Sequence, residues 1–335
     1  MKLIHTAFAL LLALTAAARA DNEWRISIKV ILGPGKAWPD NTSTIGSTGL
    51  NLNSEQAIRD NITRTNAILD RLGQGWKIVL RANTIYTLTG KADPWFTADA
   101  RTTATRDALE DAATDSAASK ADWLWHDDSL NIYLNDSRSG ICSFPGDNSV
   151  IVVGAGAYEE LIVHEMGHFF NLRHTHGGDS DGMVPPLWWS DGDGLSDTLP
   201  DDPDASAAQI NAKYPASTQW ERDNLIRNLM SYHNPQDRLT WQQRLRLMET
   251  ANSTRGFAVN GRSLIIGPGG DNDDDGLSWD ERFATIGYAY NLSVSTKDVL
   301  VVQTGTYNAG TDGLPVTMNK PMVISALNGP VVINR

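Results

Sequence analysis

The sequence predicts an α/β domain over residues 21–255, followed by a β-rich segment over 256–335. Three observations carry this division. Short β-branched runs alternate with helical stretches as far as about residue 170, a pattern that layers helices on a sheet. Gly177 to Asp204 is rich in Gly, Asp and Pro and has no periodicity, so it reads as ordered loop. Beyond Arg255 the pattern changes to short apolar strands separated by turns. At 335 residues the chain exceeds a typical domain of about 100–200 residues, which makes two domains the expectation.

Residues 1–20 read as a signal peptide. Lys2 supplies the positive start, Phe8 to Leu14 the apolar stretch, and Ala18-Arg19-Ala20 a small-residue cleavage site. The product is expected to be secreted or periplasmic. The apolar stretch is too short to span a bilayer, and no later one is long enough. Ile26 to Leu32 alternates and reads as the opening strand. Ser54 to Leu72 places Ala57, Ile58, Ile62, Ala67, Ile68 and Leu72 at near-helical spacing, with Ser54 as N-cap and Gly73 as stop. Lys77 to Arg81, Leu130 to Leu134 and Val150 to Val153 are predicted strands; Arg106 to Ala118 is a short helix. A last helix near Tyr158 to Phe170 closes the alternation.

That helix carries His164-Glu165-Met166-Gly167-His168 and runs on to His174. Residues four apart on a helix share a face, so His164 and His168 chelate one ion. Glu165 projects beside that face and reaches a water on the metal without taking a coordination position. Asn171 tolerates the left-handed backbone that ends a helix, and the chain then turns to bring in His174. Three neutral imidazoles leave zinc its full charge and a fourth position for water, whose pKa falls to about 7. Glu165 is the expected general base and acid.

The string resembles the zinc motif of the metzincin metallopeptidases, with Asn171 where that group has glycine. Asn228-Leu229-Met230-Ser231-Tyr232 resembles their Met-turn, which implies an apolar floor from Met230 and a phenol at Tyr232 that reaches the zinc or the developing oxyanion. Within that group the chain is most similar to the pappalysin-like members. Asn131 to Leu134, Ser139 to Gly146 and Val150 to Val153 run into the helix as theirs do. Gly192 to Thr198 resembles their acidic loop, although Leu199 intervenes before Pro200, and Leu239 to Arg244 resembles the start of their last helix. The resemblance implies a secreted zinc endopeptidase with a metzincin-like fold. A second enzyme reading takes Glu221 as the third ligand in place of His174. A reading from another class is a cell-surface binding protein with a non-catalytic zinc site; an intact Glu165 opposes it.

Composition narrows the partners. Lys plus Arg number 28 against 40 Asp plus Glu, a net charge of −12, which disfavours nucleic acid and anionic membrane and suits a basic or neutral substrate; that the substrate is a protein or peptide is what the resemblance implies. Cys142 is the sole cysteine, so no intramolecular disulfide forms, and its strand-loop context predicts a buried packing residue. Asp179, Asp181, Asp191, Asp193, Asp197, Asp201, Asp202 and Asp204 concentrate hard oxygen donors, for which calcium is the natural structural ion. Trp188 and Trp189 between the acidic runs are expected to pack in the core.

In the tail, Val299 to Val302, Val316 to Met318, Met322 to Ser325 and Val331 to Ile333 are predicted strands. Asp275 to Trp279, Phe283 to Ile286 and Gly305-Thr306-Tyr307 resemble the opening of a right-handed parallel β-helix. Asp271, Asp273 and Asp275 imitate an EF-hand loop, but Arg282 stands where its bidentate Glu belongs. A solenoid needs about three or more repeats to bury its core, so these one or two coils are expected either to be the start of a truncated solenoid or to lean on the preceding domain. The tail holds no catalytic candidate and is expected to be dispensable for hydrolysis.

Overall fold

The computed structural model describes residues 21–40, 51–146, 150–156, 160–176, 192–294, 296–308, 310–311, 314, 319 and 321–334. The signal segment 1–20, the loop 177–191 with Trp188 and Trp189, and the strand expected at 316–318 lie outside them.

The fold is mixed α/β, as expected. Strand β1 (Asn22–Ile31) lies between β2 (Trp76–Leu88) and β3 (Leu130–Arg138), parallel to both. β3 is followed by β4 (Gly140–Cys142) and β5 (Val150–Gly156). The sheet order is β2-β1-β3-β5-β4, with β5 parallel to β3 and β4 antiparallel to β5 on the edge.

Helix α1 (Glu55–Leu72) begins and ends where its caps dictate: Ser54 accepts from the Ala57 amide, and Gly73 turns left-handed at φ 73°. The single helix expected at Arg106 to Ala118 is two. After the short α2 (Ala92–Trp95) come α3 (Thr103–Thr114) and α4 (Ala117–Asp122), the last two capped by Thr102 and Ser116. On one face of the sheet Trp24, Ile26, Ile28 and Val30 pack under α1 and α5 (Leu161–Phe169). On the other, Ile31, Tyr133, Val150 and Val152 pack against Leu109 and Ala113 of α3 and against Trp123. Buried on that second face, the Lys29 ammonium is held by Asn131, and burial pushes its pKa well down.

After α5 come α6 (Ala207–Lys213), α7 (Gln219–Ile226) and α8 (Trp241–Asn252), each opened by a capping box, from Ser206, Thr218 and Thr240. The tail starts as β6 (Val259–Asn260), which pairs antiparallel with Glu23 and Trp24 at the start of β1. It continues through β7 (Ser263–Ile266), α9 (Ile286–Leu292), β8 (Val299–Val302), β9 (Gly305–Asn308), β10 (Val323–Ala326) and β11 (Val331–Asn334). These strands form parallel sheets in the orders β10-β8-β7 and β11-β9.

The tail packs on the sheet that precedes it. Val299 and Val301 of β8 belong to the same buried cluster as Trp24 and Trp76, whereas Leu300 and Val302 face the tail's own core of Leu264, Ile266, Phe283 and Tyr307. A strand buried on both faces reads as a continuous apolar run, which Val299 to Val302 is.

Candidate active site

Helix α5 is buried along its whole length, and its one polar face is the face of His164 and His168. It ends because Asn171 adopts φ 72°, the left-handed turn expected of it. The Asn171 amide donates to His168 O at 2.9 Å and the Leu172 amide to Gly167 O at 2.8 Å, closing the last turn and sending the chain back. That reversal delivers His174. Its Nε2 stands 3.0 Å from Nε2 of His164 and 3.0 Å from Nε2 of His168.

The tautomers follow from what lies behind the rings. His164 Nδ1 is 2.6 Å from the Leu229 carbonyl and His168 Nδ1 is 2.8 Å from the Leu172 carbonyl. A carbonyl only accepts, so both Nδ1 atoms carry hydrogen and donate, and both Nε2 atoms present lone pairs to the centre. Burial, with His164 and His176 adjacent, pushes the pKa of His174 well down and keeps it neutral too. Three neutral imidazole lone pairs converge, at a spacing that bonds of about 2.0–2.1 Å to one zinc ion accommodate. Among the described residues these histidines are the one group that can hold a metal.

Met230 lies fully buried against Gly167 of α5. A Cβ on Gly167, the residue before His168, would stand 2.4 Å from Met230 Sδ, so glycine is what lets the methionine approach. The turn holding Met230 is fixed by Asn228, whose side chain accepts from the Met230 amide at 2.9 Å and contacts Gln243 of α8.

Glu165 is buried and faces the edge strand. A Cβ on Gly140 would meet its Oε1 at 3.1 Å and its Cγ at 3.2 Å, so the carboxylate packs against bare backbone. Cys142 ends the same strand and is the expected buried packing residue; burial first, and the Glu165 charge second, raise its pKa well above normal. Tyr232 stands at the mouth, 52% exposed, its ring 4.9 Å from that of His174 and 6.0 Å from that of His164.

Glu221, the alternative third ligand, is not brought to this place. Its carboxylate accepts from the amide and hydroxyl of Thr218 in the α7 capping box, and those hydrogen bonds lower its pKa. The signal was in the sequence: Thr218-Gln219-Trp220-Glu221 has the spacing of a capping box.

The sequence gives no sign of three further neighbours of the site, His176, Asp201 and His233. His176 stacks on His174 at 4.6 Å and meets the Tyr232 ring at 4.6 Å. Asp201, fully buried, accepts from the Thr175 hydroxyl at 2.8 Å and lies 2.8 Å from His233 Nε2, and so joins the residue after His174 to the residue after Tyr232. Of the acidic run, Asp179, Asp181 and Asp191 lie outside the described residues. Asp193 accepts from Leu195 and Gln243, and Asp197 from Thr240 and Gln242.

Residues 155–252 match the family model Peptidase_M43, described as pregnancy-associated plasma protein-A. Among solved structures, mature mirolysin of Tannerella forsythia in complex with a cleaved peptide is similar at 16% identity and TM-score 0.42, covering 71% of this chain and 94% of that one. Mirolysin in complex with compound 9 is similar at 14% identity and TM-score 0.38, covering 70% and 95%. No curated protein matches. The segment that holds the three histidines is that of a zinc metallopeptidase.

Proposed function

We propose that this metallopeptidase is an exported zinc endopeptidase in which His164, His168 and His174 hold the ion and Glu165 carries protons. The observation behind this reading is the convergence of three imidazole Nε2 atoms, with two of the rings locked by carbonyls behind them. When bound, zinc supplies a water of pKa about 7 and a positive charge that polarises the scissile carbonyl. The chain's own groups do the rest. Glu165, pressed against Gly140, takes the water's proton on a carboxylate oxygen and returns it to the leaving amine. The Tyr232 phenol, exposed beside His174, donates to the oxyanion as it develops. Met230 seals the floor with an apolar surface.

The reading extends to the chain's organisation: residues 1–20 as signal peptide, 21–255 as catalytic domain and 256–335 as a β-helix-like segment, with peptide as partner and export as destination. Its support is the n-, h- and cleavage-region pattern of residues 1–20 and a net charge unsuited to nucleic acid. No helix among the described residues is long and apolar enough to cross a membrane. Calcium is proposed as a structural ion of the acidic run, supported by its eight aspartates and opposed by the protein donors that already serve Asp193, Asp197 and Asp201. A melting temperature that is the same in calcium and in EGTA, with zinc bound in both, rejects the ion.

Glu165→Gln tests the mechanism. The amide keeps the shape against Gly140 but accepts no proton, so kcat should fall by about 10²–10⁴-fold with zinc still stoichiometric. Near-normal activity would sink the proposed base; loss of zinc would make Glu165 a ligand.

A further inference from the structure

We propose that Arg255 is a positioning residue for this reaction, setting the spacing between the helix that carries the histidines and the strand segment that flanks it. Arg255 lies beyond the matched segment 155–252, in the turn after α8, where its amide donates to Thr250 O at 3.0 Å. Its side chain nonetheless reaches into the protein and is 3% exposed. Nε donates to the carbonyl of Phe169 at 3.1 Å and Nη2 to the carbonyl of Phe144 at 2.8 Å, while the guanidinium lies 4.2 Å over the Phe169 ring.

Both acceptors matter to the site. Phe169 is the last residue of α5, so its carbonyl is one of those a helix leaves unbonded at its negative end. Phe144 ends the segment that begins at Gly140 and stands edge-on to the His168 ring at 5.3 Å. A second buried arginine, Arg106 of α3, donates to the Cys142 carbonyl in the same segment at 3.1 Å. Residues 140–144 are thus pinned at two carbonyls by two cations, with the Gly140 end against Glu165 and the Phe144 end against His168.

A planar guanidinium with donors fixed in a fork spans two carbonyls at defined geometry, which a flexible ammonium does not reproduce. Loosening it lets α5 and the 140–144 segment shift against each other. A misplacement of about 1 Å in such a site costs on the order of 10²-fold in rate. The inference rests on the reading of His164, His168 and His174 as zinc ligands.

The test uses the full chain with Arg255→Met and Arg255→Lys. Four quantities are measured: melting temperature, zinc dissociation constant by chelator competition, the visible spectrum of the cobalt-substituted protein, and kcat and KM on a peptide. Arg255→Met should lower kcat by about 10–100-fold with KM changed less than about threefold, weaken zinc binding and shift the cobalt bands. Arg255→Lys should fall between it and wild type, and decides the matter if the Met variant does not fold. Variants that melt earlier but keep wild-type kcat, zinc affinity and cobalt spectrum while folded overturn the inference and leave the metal site standing. A wild-type chain that binds no zinc overturns both.

Discussion

Gly167 has no room for a side chain. A methyl group there would stand 2.4 Å from Met230 Sδ, which is fully buried against α5. Gly167→Ala is therefore expected to cost about 1–3 kcal/mol, typical of an overpacked core, and to loosen zinc by pushing the methionine out from under the ligands. Denaturant unfolding and chelator competition measure the two effects; wild-type values in both would dismiss Met230 as the floor of the site. At this scale much of the centre was readable. His164, His168 and Glu165 follow from helical periodicity alone. Asn171 and the return to His174 follow from the residue types that tolerate a left-handed backbone. Arg255, Asp201 and His176 did not show themselves, because an arginine, an aspartate or a histidine has the same appearance in a sequence whether it is buried against a carbonyl or solvated.

Elements were legible where a capping residue marked an end. Ser54 and Gly73 set α1 to the residue, and both are side-chain or backbone effects confined to one turn. The sequence pattern supports a second strand only over Lys77 to Arg81, but the strand runs to Leu88, since Ala82 and Asn83 pass through positive φ, shift the register with β1 between Ile26 and Ile28, and then rejoin the ladder. Such a bulge breaks the period of two that sequence reading depends on, while pairing with β1 carries the strand onward. The zinc helix proved shorter than the stretch Tyr158 to Phe170, being Leu161–Phe169 among the described residues, and Arg106 to Ala118 divides at Asp115 and Ser116 because Ser116 caps a new helix. β7 went unforeseen: four residues, Ser263 to Ile266, carry too little pattern, and only the parallel partner β8 makes them a strand.

Every candidate for chemistry lies before residue 234, yet the core does not divide there. Val299, Val301 and Leu327 are buried with Trp24 and Trp76, β6 pairs with β1, and the Ser325 hydroxyl donates to the Gly73 carbonyl at 2.7 Å. Each buried aliphatic side chain contributes about 1.5–3 kcal/mol, against a total stability of about 5–15 kcal/mol for a domain. A chain ending at Arg255 is accordingly expected to melt well below the full chain and to aggregate, while retaining peptide hydrolysis in whatever fraction stays folded. An unchanged melting temperature and full solubility would show that the tail merely rests on its neighbour. By itself the sequence determined the α/β class, the histidine-bearing helix with its turn, and the β-rich character of the tail, because these rest on periodicity and on local backbone preferences. Tertiary structure decided that His174 and not Glu221 joins the two helical histidines, that Gly140 and Gly167 admit Glu165 and Met230, that Arg255 reaches the flank of the site, and that the tail packs against Trp24 and Trp76, because burial and contact between residues far apart in the chain exist only once the sheet and its two layers have packed.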